Sequence, residues 1–113
     1  MPQFVLLLHD TGFEPGLSPD QMQAIVQRYV AWRAKVQNGR SVSGHKLSDG
    51  QGRVMRGTGS SMKVTDGPYA EAREVIGGLF IIEAATYDEV VDLCKDCPHL
   101  EFGSIEIREV EPT

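Results

Sequence analysis

Two stretches of this chain are apolar at consecutive positions, and two others repeat apolar residues every three or four. Residues 4–8 read Phe4-Val5-Leu6-Leu7-Leu8, and residues 76–84 carry Leu79, Phe80, Ile81 and Ile82 behind Gly77-Gly78. Short runs of this kind predict strands that want burial on both faces. Between them, Met22, Ile25, Tyr29, Trp32 and Val36 recur at helical spacing and predict one apolar helix face. Ser18-Pro19-Asp20-Gln21 marks the start of that helix, with a Ser cap, Pro in the first turn, an acid beside the positive helix end and Gln three residues after the cap. Asn38-Gly39 marks its end. Thr86-Tyr87-Asp88-Glu89 is a second capping box, after which Tyr87, Val90, Val91 and Cys94 predict the buried face of a second helix.

The remaining segments are weaker. Residues 40–47 alternate loosely, and residues 104–110 set Ile105 and Ile107 against Glu106 and Arg108, so both predict strands. Asp49-Gly50-Gln51-Gly52 is a turn signal, with residues 53–56 and 62–65 beyond it as short strands of a hairpin arm and 57–61 loose between them. Residues 71–74 suit a helical turn. The order strand, helix, strand, arm, strand, helix, strand is the split β-α-β pattern of a ferredoxin-like α+β domain. Its sheet is expected to be antiparallel, with residues 4–8 and 76–84 central and both helices on one face. Those central strands are apolar on the other face too, so a second copy of the chain is the simplest cover, giving a homodimer through the sheet.

Composition narrows the partners. The 113 residues suit one domain, with 41% apolar and 24% charged residues. A net charge of −5 and a pI of about 5.1 argue against nucleic acid and anionic membranes as partners. No apolar run approaches membrane-spanning length, and residues 4–8 are too short and lack the basic lead of a signal peptide, so a cytoplasmic protein is expected. Cys94 and Cys97 have Cys-x-x-Cys spacing but close a helical pattern instead of opening one. The negative helix end raises a thiol pKa, and a zinc site would need about four ligands where only His99 is nearby. The pair is read as packing a helix end, with no metal. The segment 57–61 lacks the Gly-Lys-Ser/Thr ending of a phosphate loop, and no motif names a cofactor.

The most specific segment is Val64-Thr65-Asp66-Gly67-Pro68-Tyr69-Ala70-Glu71. Asp-Gly-Pro forces a tight turn, because Gly tolerates positive φ and Pro fixes its own. It holds one carboxylate before the turn, a phenol just after it and a second carboxylate beyond. With Phe4-Val5-Leu6-Leu7, Trp32, Gly39, Gly44, Leu47, Gly77-Gly78 and Cys97-Pro98, this segment resembles the YCII-related family, in its branch named for an Asp-Gly-Pro-Phe motif. Tyr69 stands where that branch usually has Phe. The resemblance implies a dimeric α+β barrel with a pocket between helices, sheet and arm. It also implies possible regulation, since members of the branch are associated with extracytoplasmic-function sigma factors. Enzymatic activity is proposed in the wider family for a His–Asp pair whose His would fall near Arg28 or Tyr29, and this chain has no His there.

His45 is the best acid–base candidate, because imidazole titrates near neutrality and Gly44 beside it admits a close approach. Asp66 is a base or a substrate anchor, or simply caps its own turn. Glu71 faces a ligand or caps the turn after it. Arg28 suits an anionic group, while Trp32 and Tyr69 offer aromatic contact, with core packing the alternative for Trp32. His9-Asp10 ends the first strand as an alternative dyad, and His99, past a helix end, is expected in solvent. Two functions fit these residues. One is a non-catalytic module binding a small polar ligand. The other is a small-molecule lyase, isomerase or hydrolase using His45 with Asp66 and Glu71.

Overall fold

The computed structural model describes residues 1–10, 16–67 and 75–112. The strands are β1 (Gln3–Asp10), β2 (Val42–Lys46), β3 (Arg53–Arg56), β4 (Lys63–Asp66), β5 (Val75–Glu83) and β6 (Gly103–Val110), and the helices are α1 (Pro19–Val36) and α2 (Tyr87–Cys94). Four strands form one sheet in the order β2-β5-β1-β6, every neighbouring pair antiparallel. This is the ferredoxin-like α+β arrangement, and the two consecutively apolar strands, β1 and β5, are its centre. The arm is a separate antiparallel hairpin of β3 and β4. Residues 71–74, along with Pro68, Tyr69 and Ala70, lie outside the described residues.

Alternation on the central strands divides the sheet into two faces. Phe4, Leu6 and Leu8 of β1 and Phe80 and Ile82 of β5 are buried. They pack with Trp32 and Val36 of α1 and Val90 and Cys94 of α2 in one core. Val5 pairs with Ile81 and Leu7 with Leu79 on the opposite face, which neither helix covers.

The helix starts form as their sequences dictate. Ser18 and Gln21 make a reciprocal capping box, with Gln21 N donating to Ser18 Oγ at 3.1 Å and Ser18 N donating to Gln21 Oε1 at 2.8 Å. Thr86 Oγ1 accepts from Glu89 N at 3.2 Å, but the Glu89 carboxylate turns to Ala85 N and Arg40 instead of closing the box. The expected buried face of α2 is narrower than its spacing suggests: Val90 and Cys94 are buried, whereas Tyr87 and Val91 are exposed. With only two turns, α2 docks along one i, i+4 row, and Tyr87 and Val91 occupy the next row round. Tyr87 keeps an edge contact with Phe4 at 4.8 Å, and its hydroxyl accepts from Glu109 N at 2.7 Å. Among the described residues no helix is long and apolar enough to cross a membrane.

Candidate functional site

Glycines on the helix-facing side of the sheet open a cleft beneath α1. Gly44 pairs with Phe80, and Gly78 pairs with Leu8 and Lys46, at positions where the neighbouring side chains point toward the helices. Without side chains there, the sheet leaves a cavity of about 280 Å³. Its floor is Gly44, Gly77 and Gly78, its inner wall Leu8 and Phe80, and its roof Met22, Ile25, Val26, Tyr29 and Val30 of α1. That volume falls near the lower end of the ~300–1,000 Å³ common for ligand sites. Val26 and Val30, at 51% and 54% exposed, form its open apolar rim.

Polar groups gather at one part of this cleft. The pairing of β1 with β5 shifts register between Leu8 and His9, leaving Gly77 opposite no residue. Asp10 takes the space: a Cβ built on Gly77 would lie 2.5 Å from Asp10 Oδ2. Tyr29 reaches down from α1, and its hydroxyl lies 2.9 Å from His99 Nδ1. Burial, with Cys97 and Asp10 adding nearby negative charge, pushes the Tyr29 phenol up to about 12, so it stays protonated.

His99 is the residue whose place the sequence hid. It was expected in solvent and is instead 3% exposed. The 3-10 turn Pro98–Glu101, begun by Pro98, folds it back beneath α1 and against the end of β1. Its Nε2 lies 2.9 Å from the His9 carbonyl oxygen. A carbonyl only accepts, so Nε2 carries a proton, and a ring with that one proton accepts from the Tyr29 hydroxyl at Nδ1. One signal was available: Cys97-Pro98 starts a tight turn, and Tyr29 sits on the apolar face of α1.

The residues singled out in the sequence fall in several places. His45 pairs with Leu79, so its imidazole stands on the face away from α1, and it borders the cleft through its backbone. Asp66 is on the arm, with a side chain 92% exposed and 3.3 Å from Arg53 Nη1. Those two belong to different sheets. Arg28 is exposed and ion-paired with Glu101. Trp32 is buried, donates from Nε1 to Leu93 O at 3.0 Å, and meets the Phe80 ring edge-on at 5.3 Å. Arg28 and Trp32 share a shallow groove with Lys35 and Asp96, apart from the cleft. Tyr69 and Glu71 lie outside the described residues. His9 turns to the uncovered sheet face, where Nε2 is 2.9 Å from Glu106 Oε1, while Asp10 turns into the cleft. Cys94 and Cys97 are free and buried, and burial raises both thiols. Among the described residues, no group of three or more His, Cys, Asp or Glu side chains is placed to hold a metal ion.

Comparison with known proteins adds a family. The model of the YCII-related domain matches residues 3–113. An uncharacterized protein, R00369, of Rhizobium meliloti (strain 1021) is 34% identical over 57 residues, which are 49% of this chain and 46% of that protein. The chain therefore spans about half the length of that curated relative. A crystal structure of At3g17210 from Arabidopsis thaliana, described as an ensemble refinement, aligns over 100% of this chain and 96% of that one, with 12% identity and a TM-score of 0.45.

Proposed function

The chain belongs to the YCII-related family, and from that premise we propose a small-molecule-binding protein that takes its ligand into the cleft beneath α1. The protein is a cytoplasmic homodimer, paired through the sheet face that carries Val5, Leu7, Leu79 and Ile81. Its use is regulatory, in the setting that the sigma-factor-associated members of the family imply. The observation that carries this reading is the glycine floor. Three glycines from two strands keep the sheet clear under an otherwise apolar helix face, and an empty apolar space is costly to keep unless something fills it. Binding is favoured over acid–base chemistry by His45, whose imidazole stands on the other side of the sheet from the cleft. Asp66 on the arm, Arg28 and Trp32 in the neighbouring groove, and Tyr69 and Glu71 are further candidates for ligand contact.

The test has two arms. Val30→Trp plugs the cleft from an exposed helix position. Members of a metabolite library that raise the wild-type melting temperature should lose that effect in the variant. Shifts that survive the plug place binding elsewhere and refute the cleft. For assembly, wild type should sediment as two chains, and Leu7→Glu, on the uncovered face, should sediment as one. A wild-type monomer ends the dimer reading.

A further inference from the structure

The polar end of the cleft accepts hydrogen bonds and does not donate them, and this selects a ligand. His99 fixes the polarity. Its Nε2 proton is committed to the His9 carbonyl, so Nδ1 takes the single proton of the Tyr29 hydroxyl. The Tyr29 oxygen is left with lone pairs only. Asp10, the sole acid among the described lining residues, adds a carboxylate, and Gly77 provides the space it occupies. A carboxylate has room for several donors whatever else it touches.

The two cations among the described lining residues of the same cleft direct donors to other groups. Arg33 donates from Nη2 to the Val42 carbonyl at 3.2 Å. Lys46 donates from Nζ to the Leu47 carbonyl at 2.6 Å and to Asp49 Oδ1 at 2.7 Å. Histidine 45 borders the space through its backbone. An anionic head would meet two sets of lone pairs at this end, while a cationic head would be hydrogen-bonded and charge-matched by both.

We propose that the cleft binds a small primary amine with an apolar body, its ammonium held between Asp10 and Tyr29 and its body lying over the glycine floor against Ile25, Val30 and Phe80. This deepens the ligand-binding reading and rests on it. Tyr29 contacts the ligand, and His99 acts through Tyr29 as a positioning residue. Nothing in the arrangement requires a covalent step.

Three probes of one shape separate the two levels of the proposal: hexylamine, 1-hexanol and hexanoate, titrated at pH 7.5 and followed by calorimetry and by the amide shifts of Gly44 and Gly78. Hexylamine is expected to bind at least tenfold tighter than hexanoate. Asp10→Asn should reduce it to the level of 1-hexanol, and Tyr29→Phe, which keeps the ring, should weaken it about threefold. Val30→Trp should abolish all three, which separates the cleft from general attraction of an amine to an acidic surface. If 1-hexanol and hexanoate bind and hexylamine binds no tighter, the ammonium site is overturned and the cleft stands. If none of the three moves Gly44 or Gly78, both fall. Should Asp10→Asn fail to fold, the hexylamine-to-hexanoate ratio in wild type and in Tyr29→Phe decides: a ratio unchanged by the loss of the hydroxyl removes Tyr29 from the site.

Discussion

Gly44→Ala asks whether the cleft floor is held open by the absence of a side chain. A Cβ at Gly44 would lie 2.5 Å from Phe80 Cε1 and 2.7 Å from Phe80 Cδ1. Carbon atoms in good contact sit ~3.5–4.0 Å apart, so the ring must move by roughly 1 Å. The Trp32 ring meets it at 5.3 Å and 70°, which limits its freedom. The open direction is the cleft that Phe80 lines. The Gly44 backbone is outside the positive-φ region, so alanine brings no backbone strain there. It even gains ~0.4–1 kcal/mol by restricting the unfolded chain. Overpacking a core contact costs ~1–3 kcal/mol. The net expectation is a loss of about 1–2 kcal/mol, or a melting point lower by about 4–8 °C for a chain of this size.

Urea unfolding followed by the fluorescence of Trp32, the one tryptophan of the chain, measures that loss. Phe80→Leu supplies the control, because it removes the ring edge that the new methyl strikes. Alone it should cost ~1 kcal/mol. The double variant should be no less stable than Phe80→Leu, a coupling of ~1 kcal/mol or more. Ligand binding should weaken in Gly44→Ala as the ring enters the cleft. Strictly additive losses, or a Gly44→Ala protein as stable as wild type, would show that Phe80 is not packed on the glycine and that the floor stays open for another reason.

Two further predictions concern protons. Burial pushes the Cys94 thiol from 9.0 up to about 12, and Cys97 and Tyr29 shift the same way. The folded protein holds these protons more tightly than the unfolded chain does. The stability they confer is therefore complete below about pH 9 and is lost as pH rises from there toward about 12. Melting temperature should be level from neutrality to that point and then fall, and the fall should be shallower in Cys94→Ala/Cys97→Ala. At pH 8, iodoacetamide should alkylate native protein far more slowly than urea-unfolded protein, and equal rates would contradict the burial of these thiols. At the acid end, hydrogen bonds from Arg40 and from Ala85 N hold the Glu89 carboxyl below the usual range. That contribution is present above the ordinary carboxylate value and is lost as pH falls. Glu89→Gln should thus destabilise the protein at pH 7, with a gap to wild type that narrows on acidification, and a gap independent of pH would refute the ionic role.

Much of the fold can be read along the chain because its signals are local. The consecutive apolar runs identify β1 and β5 as the sheet centre, because a run apolar on both faces asks for cover above and below, which the middle of a sheet gets before its edges do. The capping box at Ser18 and the turn at Asp49-Gly50 place α1 and the arm by chemistry that acts within a few residues. The site is less readable because its parts acquire meaning only across strands. Gly44, Gly77 and Gly78 look like ordinary strand interruptions until register sets Gly44 beside Phe80 and Gly78 beside Leu8, all toward one helix. His45 and Gly44 are neighbours in sequence, yet the two-residue period of a strand sends them to opposite faces.

His99 shows why local reading also fails for the polar end. A histidine after a helix, next to Pro98, has every local reason to be solvated, and its own neighbourhood supplies no partner. Its partners, Tyr29 and the His9 carbonyl, are 70 and 90 residues away in sequence. Burying an imidazole without them would leave two polar nitrogens unsatisfied, at a cost of ~1–3 kcal/mol each. The burial is therefore tolerable only because α1 brings a hydroxyl and β1 ends in a carbonyl at the same point. That dependence runs in both directions. His99, within the turn Pro98–Glu101, bonds both Tyr29 and the His9 carbonyl, so the element that fixes the cleft-facing hydroxyl is also one that ties α1 to the end of the central strand.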